Sequence, residues 1–171
     1  MQKKSDLIGK GLVVSLILMV VDLIGGFAQL RFESWFRGLP VGILVIAVIL
    51  LCIQYGKEGI EDTTYGKVFG YGFKITLLIA LFMFIYTLLS LFIIFPELKE
   101  MVLQKTRTDM EAKGTYSQDV IDSAVNMTKK FFVPFALIGG ILATVLFGVI
   151  GSLLGAAFAK KTEANVFQNN P

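Results

Sequence analysis

Residues 71–95 read YGFKITLLIALFMFIYTLLSLFIIF, and Pro96 follows directly. Apart from Lys74 near its start, the stretch carries no charge. At about 1.5 Å per residue it is long enough as a helix to cross a hydrocarbon core of roughly 30 Å. The proline stands where such a helix has to stop, because it has no N–H to continue the ladder.

Three further apolar runs flank this one: 7–30 and 40–55 before it, and 132–159 after it. The run 40–55 is short and rich in Val and Ile, so in water it would read as a buried strand. In lipid a lone strand leaves its backbone polar groups unpaired, and a helix is expected instead. The run 132–159 is long enough to tilt or to project, with Pro134 in its first turn. The run 7–30 follows Lys3 and Lys4, and Gly26-Phe27-Ala28 is compatible with signal cleavage. Its apolar character outlasts the usual signal length and continues past Asp22, which favours a retained span.

Composition agrees. The chain has 171 residues, 55% hydrophobic and 17% charged, with a mean hydropathy of +0.73. A soluble domain is nearer one quarter charged. The charges lie at the ends of the runs or between them, with Asp22 the one acid inside a span. The expected fold is an all-α membrane protein: one domain over residues 1–171, with four transmembrane helices and an extramembrane amphipathic helical hairpin between the third and fourth.

That hairpin occupies 97–130. Leu98, Met101, Val102 and Met110 share much of one helical face, Gly114 breaks the helix, and Thr115 with Gln118 resembles a capping box. Val120, Ile121, Ala124 and Val125 form a second apolar stripe that feeds the fourth span. The two helices pack on each other or on headgroups, or they present a docking surface. Asn126-Met127-Thr128 fits a glycosylation sequon, which inside a helix reads as coincidence.

Several chemistries are excluded by content. There is no histidine and a single cysteine, Cys52, inside an apolar run. The commonest general base and metal ligand are therefore missing, and no internal disulfide can form. No cofactor or metal is expected. A net charge of +3, split between loops, offers nucleic acid no basic surface.

Four spans put both termini on one side. The 16 basic residues divide evenly between the two sides, but those on the terminal side sit in shorter segments. The positive-inside rule then makes both termini cytoplasmic. Trp35 marks the opposite interface, and Lys67 and Lys74 mark the terminal one.

Asp22 costs about 2.5–3.5 kcal/mol at a helix centre and should find partners within the bundle. Counting inward from the loop side puts Tyr86, Thr87 and Ser90 at its depth, a candidate polar cluster. It serves either as an interhelical hydrogen bond or as an ion- or proton-responsive carboxylate. The fourth span repeats small residues every four positions. Gly140, Thr144, Gly148 and Ser152 form one ridge, with Gly139, Gly151 and Gly155 beside it. Such ridges let backbones approach closely, within the chain or between chains.

The third span opens on Thr63-Thr64-Tyr65-Gly66-Lys67-Val68-Phe69-Gly70-Tyr71-Gly72. This phrase resembles the opening of the third helix in domain of unknown function 4199, a family of small membrane proteins found mostly in Bacteroidota. Tyr65, Gly66, Lys67, Phe69 and Gly72 match best, while Lys74 departs from the apolar residue usual there. The resemblance extends from about Lys3 to Lys161, including the order of spans, the charged helical loop and the basic pair Lys160-Lys161. It implies a bacterial inner membrane and no assigned activity.

The leading expectation is a non-enzymatic scaffold, accessory subunit or homo-oligomer working through helix packing, with the lipid bilayer and a membrane protein or second copy as partners. The alternative is a small ion- or proton-coupled transporter or channel centred on Asp22. Intramembrane catalysis fits poorly, because Asp22 has no second acid within its span and Glu58, Glu61 and Asp62 form a short solvated loop.

Overall fold

The computed structural model describes residues 2–57 and 64–168, with side chains placed for 6–57 and 64–159. The acidic loop of Glu58, Glu61 and Asp62, with Thr63, and the side chains of Lys3, Lys4, Lys160 and Lys161 lie outside that description. Every regular element among the described residues is helical: α1 (Gln2–Phe27), α2 (Ser34–Lys57), α3 (Tyr65–Leu89), α4 (Leu98–Lys113) and α5 (Gln118–Gln168). Four segments are long and apolar enough to cross a membrane: Asp6–Phe27, Ser34–Lys57, Tyr65–Ile94 and Gln118–Ala159.

The helices begin and end where local chemistry directs. α1 stops three residues short of the expected Leu30. Gln29 takes a left-handed conformation (φ 57°), and a short 3-10 turn at Leu30–Phe32 leads into α2. α2 starts at Ser34, so Pro40 lies inside it. Because a non-glycine residue pays roughly 1 kcal/mol in left-handed geometry, Gln29→Gly is expected to raise the thermal midpoint of the micelle-solubilised protein by a few degrees. An unchanged or lower midpoint by circular dichroism would show that Gln29 makes an offsetting contact.

α3 ends in one wide π turn, Ser90–Ile94, where the Phe95 N–H donates to the Ser90 carbonyl at 2.8 Å. Pro96 forces the residue before it out of helical geometry, and Phe95 sits at φ −133°. Gly114 caps α4 at φ +64°, its N–H donating to the Glu111 carbonyl. The first turn of α5 closes on the Ser117 carbonyl, two residues after the expected Thr115 cap. Pro134 consequently stands well inside α5 rather than in a first turn.

The chain forms two compact units, Met1–Met83 with Ile141–Pro171, and Phe84–Gly140. The first holds the core. Val14 and Leu18 of α1, Leu44, Val48 and Cys52 of α2, Val68, Ile75 and Ile79 of α3, and Ala156 and Ala159 of α5 are all buried in one cluster. In the second unit Arg107 of α4 pairs with Asp122 of α5, and Leu103 and Ile121 are buried. These contacts bring α4 against the start of α5, with Gly114 between the two helices.

Candidate functional site

The first unit is assembled on glycines. A Cβ built on Gly148 would lie 2.2 Å from Thr76 Cγ2, and one on Gly72 would lie 2.5 Å from Cys52 Sγ and 2.7 Å from Ser152 Oγ. At Gly155 it would meet Cys52 Cβ at 2.6 Å, and at Gly151 the Val45 carbonyl at 3.1 Å. The ridge of α5 is thus closed against α2 and α3 of the same chain, at Gly148, Gly151, Ser152 and Gly155. Gly72 of α3 completes the seam. Lipid provides no hydrophobic drive between helices, so close backbone approach and dispersion do the holding. Buried Ser15 and Ser152 donate to their own helices, at the Gly11 and Gly148 carbonyls (2.8 and 2.7 Å), which satisfies each hydroxyl locally.

Two positions of the predicted ridge differ. Gly139 and Gly140 are exposed, and a Cβ on either would meet nothing within 4 Å. Both belong to the second unit, and Thr144 is half-buried in the first.

Asp22 is ion-paired with Arg31. α1 ends five residues beyond Asp22, and the 3-10 turn brings the Arg31 guanidinium back under the carboxylate. The side chains are 32% and 14% exposed, so the pair is partly withdrawn from solvent. Tyr86 and Ser90 are buried and Thr87 half-buried near the end of α3, in the second unit, whereas Asp22 lies in the first. Arg31 was missed as a partner, because depth counting looked only at other spans. The signal was present: an arginine nine residues on, just past the turn, is within reach of its long side chain. Packing supports the same turn, since Gly25 admits the Phe36 ring, with a Cβ there only 2.3 Å from Phe36 Cε1.

At the other end of α1, Lys10 Nζ pairs with Asp6 at 2.9 Å and lies 5.9 Å from the Tyr71 ring, which stacks on Tyr55 at 4.1 Å. Between the two ion pairs α1 contributes Val14 and Leu18 to the apolar core. Asp22 is thereby tied to the turn that follows α1. Trp35 is 62% exposed and edge-on to Phe36, and Lys67 and Lys74 are exposed. Tyr65, which opens the motif, donates its hydroxyl to the Leu153 carbonyl at 3.3 Å and so pins α3 to α5. Among the described residues no three or more of His, Cys, Asp and Glu come together as a metal site would require.

Apolar helices of spanning length, packed through glycine, define the class as a helical, multi-pass membrane type. The chain belongs to the family described as Protein of unknown function (DUF4199), whose model matches residues 10–161. That is the family the Tyr65–Gly72 phrase resembles. No curated protein and no solved structure matches the chain.

Proposed function

We propose that this protein is a non-enzymatic component of a bacterial inner membrane that works by packing against other membrane helices, as a scaffold, accessory subunit or homo-oligomer. Both termini face the cytoplasm, and the α4–α5 hairpin stands outside the bilayer on the other side. The observation that carries the reading is the contrast along α5. Gly148, Gly151 and Gly155 are closed over by the chain's own helices, whereas Gly139 and Gly140 are open on an exposed face. Two adjacent open glycines in a span allow another helix backbone to approach as closely as α2 and α3 do below them. The Asp22–Arg31 pair and the apolar run between it and Lys10 favour this over a conducting role.

The test is solubilisation in mild detergent, crosslinking and mass determination, comparing the parent with Gly140→Leu. A mass above that of one chain is expected for the parent, reverting to one chain in Gly140→Leu without loss of helical signal. A parent that is strictly monomeric, with nothing bound, would sink the proposal.

A further inference from the structure

Lys74 lies well inside the apolar stretch of α3, and the contacts of the first unit fix how far. Gly72 is closed against Ser152 and Gly148 against Thr76, so Lys74, midway between 72 and 76, stands level with Ile150 of α5. A Cβ on Gly56 would lie 2.9 Å from Ala159 Cβ, which sets the ends of α2 and α5 side by side, with Lys57 and Lys160 next in sequence. Lys74 is therefore roughly 13 Å inward of those ends, at about 1.5 Å per residue. It is exposed, and none of the described residues forms an ion pair with it. Of the described acids in this unit, Asp6 pairs with Lys10 and Asp22 with Arg31, and Glu33 lies in the turn at the far end of α1. A helical side chain leans toward the start of its helix and covers the turn before its own Cα. For Lys74 that turn holds Gly70, with Gly66 one turn further out. A Cβ on either glycine would meet nothing within 4 Å, so bare backbone runs from the Lys74 side chain toward the start of α3. The exposed Lys67 flanks the outer end of this strip. In the other direction, three and seven residues on, Leu77 and Leu81 are 46% and 53% exposed.

We infer that this face of α3 binds an anionic phospholipid. The headgroup phosphate lies over Gly70 against the Lys74 ammonium, with Lys67 at the outer rim, and an acyl chain runs along Leu77 and Leu81. The inference rests on α3 spanning a bilayer and is independent of assembly with other helices. Charge complementarity selects the occupant. A lysine inside a span with no acid beside it is costly unless its head reaches the interface, and an anion there adds a partner. A zwitterionic headgroup brings its own cation to the same place and so gains less. A second copy packed by the same face would set Lys74 against Lys74. Cation outside and leucines inside also match the order of headgroup and chain in a leaflet.

The full-length protein is incorporated into discs containing equal phosphatidylglycerol and phosphatidylcholine, then extracted in mild detergent, and the retained lipids are counted. Phosphatidylglycerol should be enriched about fivefold, the weight of roughly one lysine against an anionic surface. Lys74→Gln should bring the ratio close to one, whereas Lys74→Arg should keep it. Gly70→Leu keeps the charge but fills the space beside it, and should also lower the ratio toward one with helical signal intact. Lys130→Gln, on an exposed lysine of the second unit, should leave it unchanged. Equal retention of both lipids by the parent would overturn the site, as would an equal loss in Lys130→Gln. Enrichment that survives Gly70→Leu would overturn it too, because charge alone would then account for the preference. A Leu77→Cys chain that forms a disulfide dimer and excludes lipid would overturn it in favour of a second copy. A chain that does not enter the discs at all would overturn the membrane placement and the site together.

Discussion

Gly148→Leu is expected to destabilise the protein by about 3 kcal/mol, at the upper end of the cost of overpacking a filled core. The Cβ alone would stand 2.2 Å from Thr76 Cγ2, 2.5 Å from Thr76 Oγ1 and 2.9 Å from Thr76 Cβ. Thr76 is fully buried and cannot swing away, so α5 and α3 have to separate. Separation would also open the neighbouring contact of Gly72 with Cys52 and Ser152. The same substitution at Gly139 or Gly140 meets nothing within 4 Å. There the change should cost the fold of the single chain no more than about 0.5 kcal/mol, as for surface positions in general. Thermal or denaturant unfolding in micelles, followed by circular dichroism, measures both. Thr76→Ala removes two of the three clashing atoms and should recover part of the loss in Gly148→Ala, a coupling that identifies the contact. Equal effects at Gly148 and Gly140 would mean that the ridge is not closed within the chain.

Arg31→Ala is the second large effect. Its cost falls between about 1 kcal/mol for an exposed pair and about 3–5 kcal/mol for a buried one, and 2–3 kcal/mol suits a carboxylate that is one-third exposed. The loss arises because the Asp22 carboxylate, near the end of a span, loses the guanidinium paired with it. Asp22→Asn should cost less, since the amide is neutral and the long Arg31 side chain can snorkel to the headgroups. The double variant Asp22→Asn with Arg31→Ala should be more stable than Arg31→Ala alone. If the double variant is as damaged as the single, the pair is not what holds the α1–α2 turn.

Much of the architecture was legible one residue at a time. The length of each apolar run, Pro96 after the third and Gly114 between two amphipathic stretches placed the four apolar helices, though α2 and α3 each begin six residues before the expected 40 and 71. Two further departures have local causes. α1 ends early because Gln29 turns left-handed, and α5 reaches back to Gln118 because the hairpin helix and the fourth span are one element. The second of these moved Pro134 from a first turn to a helix interior.

The candidate site was less legible. Gly148, Gly151, Ser152 and Gly155 were visible as a ridge, and the ridge had to pack on something. Asp22 was visible as a polar group needing a partner. That the ridge closes on α2 and α3, that Gly139 and Gly140 stay open, and that Arg31 reaches Asp22 are matters of how each helix is turned about its axis.

By itself, then, the sequence determined the class and the number of apolar helices. Those depend on run length, charge placement and the obligation of backbone groups in lipid to pair within a helix. Only the tertiary structure decided rotation, and with it which small residues are closed over and which are exposed. In water a helix advertises its inner face by being apolar on one side. In a bilayer the inner and outer faces are both apolar, so periodicity carries little of that information, and it is the close approach of neighbouring backbones that distinguishes Gly148 from Gly140.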